Sequence, residues 1–138
     1  MVAPLSPLVI DLKREHADII QAMAELRVKI ASPDDHGDIL APARDLLLAH
    51  LKKEDDQLYG VLFAKAQHDP HLARTLEDFA KDMQQISAFA INFFTVHRDG
   101  TRKRELSHDF SKLISLLGDR ILREEIVLYP AYDLAVQR

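Results

Sequence analysis

The sequence contains no cysteine, which excludes disulfides, thiolate metal ligation and thiol catalysis and says nothing by itself about compartment. It lacks an excess of basic charge: 22 acidic against 18 basic residues give a net charge of −4. A nucleic-acid binder needs a concentrated basic surface, so no nucleic-acid partner is expected. Only His97-Arg-Asp-Gly-Thr-Arg-Lys-Arg104 is locally basic, and with Gly100 in its middle it reads as a solvated loop between helices. Long apolar runs are missing as well. Met1 to Ile10 has no basic start and reaches Asp11-Leu-Lys-Arg-Glu15 too soon for a signal peptide or a membrane span, so a cytoplasmic protein with no membrane partner is expected. Strand signals are absent. What remains is a chain of 138 residues, 47% hydrophobic and 29% charged, sized and composed as one soluble domain spanning 1–138.

Apolar residues recur at steps of three and four, the period of an amphipathic helix. From about Pro7 the series is Leu12, Ile19, Met23, Leu26 and Ile30, and His16 fills the gap after Leu12. Ser32-Pro-Asp-Asp-His-Gly-Asp38 is a turn cluster, with Asp38 read as the cap of the next helix. The second seam is Leu40, Ala43, Leu47, Leu58 and Val61, with His50 and Glu54 in its gaps. Asp69-Pro70 starts a third helix with Leu72, Leu76, Phe79, Met83, Ile86, Ala90, Phe93 and His97. The fourth carries Leu106, Phe110, Leu113, Leu117, Arg120, Glu124, Leu128 and Ala131, with Pro130 expected to kink or end it locally. Four such helices joined by short loops predict an all-α, up-down-up-down antiparallel four-helix bundle.

Counting outward from each turn places His16, His50, Glu54, Met83, Arg120 and Glu124 at one level, with a glutamine of Gln84-Gln85 nearby. His50 and Glu54 are four apart and share a helix face, as do Arg120 and Glu124. The chain also repeats itself: His50-Leu-Lys-Lys-Glu54-Asp-Asp-Gln-Leu58-Tyr59 aligns with Arg120-Ile-Leu-Arg-Glu124-Glu-Ile-Val-Leu128-Tyr129. Charges buried in a bundle must be paired with one another or with a metal. Imidazole and carboxylate suit Fe, Mn or Zn, whereas Arg120 forking between Glu54 and Glu124 would make a metal-free ion-pair layer. Other histidines are read as peripheral. His97 lies about four turns from the layer and is expected to face helix-end carbonyls, while His36, His68, His71 and His108 fall near turns and are expected to face solvent. Tyr59 and Tyr129 are expected at the bundle end with their hydroxyls reaching water, the alternative being a tyrosine near a metal that gates access to it.

A histidine on the first helix, His-x-x-x-Glu on the second and x-x-x-x-Glu-Glu-x-x-Leu-Tyr-Pro on the fourth resemble the hemerythrin HHE cation-binding family over nearly the whole chain. The resemblance implies a di-iron centre inside the bundle, with two bridging carboxylates and histidines completing each iron. Carried over, His16, His50, Glu54 and Glu124 match ligand positions. The third-helix histidine is replaced by Met83, or in other alignments by Gln84 or Gln85, and the fourth-helix histidine by Arg120. In the family both replaced histidines serve one iron, so the sequence reads as a site with one half removed and Arg120 as a substitute cation. Either one iron or other divalent metal remains on the four matched residues, or the layer is metal-free.

Three functions follow. One, implied by the resemblance, is a metal-binding sensor, carrier or regulator, since half a site suits sensing or metal storage better than oxygen carriage. Another is a metal-free bundle that binds a regulatory protein; Gln84-Gln85-Ile86 and Phe110 to Ala131 resemble, more weakly, the bacterial regulator of sigma D anti-sigma family. An enzyme comes last, because the seam offers no nucleophile or poised acid and base outside the metal layer.

Overall fold

The computed structural model describes residues 5–32, 38–98 and 103–137. The turn expected at 33–37, with His36, and the loop expected at 99–102, with Gly100, lie outside the described residues. Four helical rods account for the fold, and among the described residues there is no strand. The first helix is Pro7–Ala31. Its end is capped by Ser6, whose hydroxyl accepts from the Val9 N–H at 3.2 Å, and Pro7 sits where a missing N–H costs nothing. The second rod runs over 41–66 as Ala41–Lys53, a π-helical turn Glu54–Tyr59 and Gly60–Ala66. Pro70–Val96 is the third, capped by the Asp69 carboxylate on the N–H groups of His71 and Leu72. The fourth comprises Lys103–Arg123, a second π-helical turn Glu124–Leu128 and Tyr129–Val136.

Each rod packs on its sequence neighbours and the first also packs on the fourth, closing an antiparallel bundle. The expected seams form its core: all seven apolar members of the third-helix seam are buried, from Leu72 to Phe93, as are Leu12, Ile19, Met23 and Leu26 on the first. Burying each leucine or phenylalanine is worth about 1.5–3 kcal/mol. No helix among the described residues is long and apolar enough to cross a membrane.

Three local expectations are corrected. Asp38 does not cap the second helix; Leu40 precedes its first turn, and the Asp38 carboxylate lies 3.5 Å from Arg44 instead. Leu62, not Val61, is fully buried, and Ala131 is only half-buried while Tyr129 and Asp133 turn inward. The physical reason is the π turn, which inserts one extra residue and rotates everything after it by one position. Pro130 does not end the helix, which continues to Val136, since it stands in the first turn after the second π turn, where no N–H is required of it.

Candidate metal centre

Both π turns begin at a glutamate of the layer, Glu54 and Glu124. In the second, the N–H of Tyr129 bonds to the carbonyl of Glu124, five residues back. Widening the helix there holds three consecutive four-residue steps on one face: His50, Glu54, Leu58 and Leu62 in the second rod all point inward. Without it, each four-residue step would drift about 40° off the face.

The layer assembles as the spacing predicted. His16 is 2% exposed, His50 3%, Glu54 0%, Arg120 2% and Glu124 1%. One donor atom from each of His16, His50, Glu54 and Glu124 falls within a group spanning at most 4.8 Å, so these four could hold a metal ion. His50 Nε2 is 3.2 Å from Glu54 Oε1, and His16 Nε2 is 3.3 Å from Glu124 Oε1. Neither approach is aligned as a hydrogen bond: His50 Nε2 and Glu124 Oε1 are buried with no hydrogen-bond partner among the described residues. Orphaned polar atoms are costly in a core, and a cation between them would satisfy both. The donor set of imidazoles and carboxylates therefore fits a divalent metal.

Each imidazole is oriented from behind. Glu125 Oε2 lies 2.9 Å from His16 Nδ1, and Glu15 Oε1 lies 2.8 Å from His50 Nδ1, with Lys53 holding the other Glu15 oxygen at 2.7 Å. A carboxylate on Nδ1 fixes the proton there and leaves Nε2 facing the interior, the arrangement found behind metal-ligating histidines. Seam spacing does not single out Glu15 and Glu125. Their signal is adjacency: each directly neighbours a layer residue and so points sideways along the next helix.

Arg120 occupies the opposite side. Its Nε donates to Glu124 Oε2 at 3.3 Å and one terminal nitrogen to Glu54 Oε1 at 3.2 Å, while the other donates to the Met83 carbonyl at 3.2 Å and the Ser87 hydroxyl at 2.8 Å. Met83 is thus the third-helix residue of the layer. Gln84 and Gln85 are exposed and outside it, and Ser87, one turn beyond Met83, is the polar group the third helix contributes.

The tyrosines depart most from expectation. Neither hydroxyl reaches water: Tyr59 donates to Glu124 Oε2 at 3.2 Å, and Tyr129 donates to Glu54 Oε2 at 2.9 Å with His16 Nε2 at 3.0 Å. The extra residue that each π turn inserts swings the tyrosine of that rod onto the carboxylate contributed by the other rod. Burial, with the nearby carboxylate charges, pushes both phenols well above their ordinary range, so they stay protonated as donors. Among the peripheral histidines, His68, His71 and His108 are exposed. His97 ends the third helix, but its Nε2 bonds to Asp109 on the fourth rod at 2.7 Å rather than to carbonyls.

The charges are tightly coupled. Burial opposes ionisation of Glu54, yet His50, Glu124 and Arg120 beside it outweigh that and hold its carboxyl well below the usual range. Glu124 goes the other way: burial and the neighbouring Glu54 charge raise it well above that range. The pair thus favours one charge, which Arg120 balances.

A closed bundle with histidine and glutamate donors converging inside it defines a class, the helix bundles whose core side chains could hold a metal. Residues 8–132 match the family model described as the hemerythrin HHE cation binding domain, and the chain belongs to that family. No curated protein and no solved structure matches it.

Proposed function

We propose that this protein binds one metal ion, iron, through His16, His50, Glu54 and Glu124, and that it serves in sensing or regulation rather than in oxygen carriage. The observation that supports this reading best is the pair of outer carboxylates, Glu125 on His16 and Glu15 on His50, which aim two Nε2 atoms at one interior point beside the orphaned Glu124 oxygen. Such an ion, when bound, supplies a Lewis-acidic and redox-active position. Around it the chain's own residues set the limits. Arg120 supplies the fixed positive charge on the side where the family places its second set of histidines, so a second ion finds repulsion there and no imidazole. Elemental analysis after anaerobic iron loading tests the reading, with one metal per chain expected, and none after His16→Ala with His50→Ala. Two per chain, or none in the wild type, would refute it.

A second reading has its own support. The Tyr129 hydroxyl lies within hydrogen-bond reach of both Glu54 and His16, and Arg120 spans both glutamates, so much of the layer has partners without an ion. In that case the bundle is a metal-free regulator that binds another protein. Retention of RNA polymerase subunits by the tagged chain, with no metal in the purified protein, is the result that would favour it.

A further inference from the structure

A groove of about 700 Å³ runs between the first and fourth helices, outside the buried layer. Met23, Leu117 and Gly118 lie along it, and its rims carry Ile20, Leu122 and Ile126, which are 56%, 58% and 64% exposed. Contiguous apolar surface of this kind marks a place where something docks. Its ends are charged, with Glu125 at one and Arg27 at the other. The helices are antiparallel, so Glu125 lies level with His16 and Ile114 level with Arg27, about 16 Å further along at 1.5 Å per residue. Near the midpoint stands Gly118, where a Cβ would meet nothing within 4 Å. A glycine inside a helix weakens it relative to almost any other residue, and its own fold does not require one there.

We propose that this groove docks a second copy of the chain about a two-fold axis near Gly118, with each Arg27 reaching the partner's Glu125. A small apolar molecule could cover the floor but would leave the rims in water, whereas a second bundle covers both. Opposite charges at the two ends become self-complementary under a two-fold axis, since each then meets its opposite. Arg27 makes no ion pair among the described residues and is free to do so. A bare helix backbone at the axis lets the facing fourth helix approach closely.

Glu125 keeps Oε2 on His16 while it faces the groove, so the test alters neither Glu125 nor any residue of the layer and reads only assembly and folding. Sedimentation velocity of the full chain from micromolar to hundreds of micromolar should show a concentration-dependent dimer. Gly118→Lys should sediment as a monomer while melting at or above the wild-type temperature, because lysine is the better helix former and its side chain has open space. Arg27→Glu should weaken the dimer by at least about tenfold, as like charges then face each other. A wild type that stays monomeric throughout would overturn the proposal. So would a dimer indifferent to both substitutions, or a monomer that carries a small apolar molecule in native mass spectrometry.

Discussion

The buried layer has two sides that share Glu54 and Glu124 and differ in how they meet the same charge. On one side stand two imidazoles, His16 and His50, each backed by a carboxylate. On the other a single guanidinium is permanently charged and already bonded to both glutamates, to a backbone carbonyl and to Ser87. The imidazole side leaves buried polar atoms unsatisfied, while the arginine side spends its donors. A buried carboxylate pair thus faces one counter-charge built into the chain and, opposite it, a group of donors that could hold a metal ion.

The largest expected effect breaks the arginine side. Arg120→Ala leaves Glu54 and Glu124 without their fixed counter-charge and should cost about 3–5 kcal/mol, measured by chemical denaturation. Arg120→His combined with Met83→His would turn that side into a copy of the other. The double variant should bind more iron than the wild type and regain stability on iron addition, because a ligand of the native state alone stabilises it. A nearly silent Arg120→Ala, with no iron gained by the double variant, would defeat the idea of a substitute cation.

Next comes the orientation of the imidazoles. Glu125→Gln and Glu15→Gln keep the shape but weaken the hold on Nδ1, and each should lower metal affinity by about 10–100-fold with little change in metal-free stability. Titration with Fe(II) under anaerobic conditions measures it. Equal affinities in all three proteins would show that the outer carboxylates are ordinary ion pairs.

The two sides also differ in their response to pH. Glu124 is raised by burial and by Glu54; for His50, burial lowers the value but Glu54 and Glu15 beside it more than compensate. For both groups the folded state favours the protonated form, so their contribution is present at low pH and lost as pH rises through their folded values. Glu54, held low, acts oppositely and loses its contribution as pH falls below the ordinary glutamate value of 4.5. Metal-free protein should therefore be most stable in mildly acidic solution and weaken toward alkaline pH. Glu124→Gln should flatten the alkaline decline, as read from urea midpoints across pH, and an unchanged slope would place the proton elsewhere.

Smaller still is Tyr129→Phe. It removes one hydroxyl from between Glu54 and His16 and should cost about 1–3 kcal/mol in metal-free protein, as for a hydrogen bond to a charged group. If that hydroxyl competes with an ion for His16, the same variant should bind metal more tightly.

Helix count, connection order and the members of the layer were legible in the sequence because each depends on spacing alone. His16, His50, Glu54, Arg120 and Glu124 occupy positions where an apolar residue was due, and two residues four apart on a helix must share a face. The π turns are implicit there too: the steps 50, 54, 58 and 120, 124, 128 exceed 3.6 residues per turn, so a straight helix cannot keep them on one side. A straight 3.6-residue helix leaves Leu62, Tyr59 and Tyr129 off the inward face, where the π turns put them. What spacing could not supply was the direction of side chains between rods. Glu15 on His50, Glu125 on His16, Ser87 on Arg120 and Asp109 on His97 join positions 12 to 109 residues apart, and only the packing of one helix against the next decides which of many surface polar groups lies within about 3 Å of a buried one.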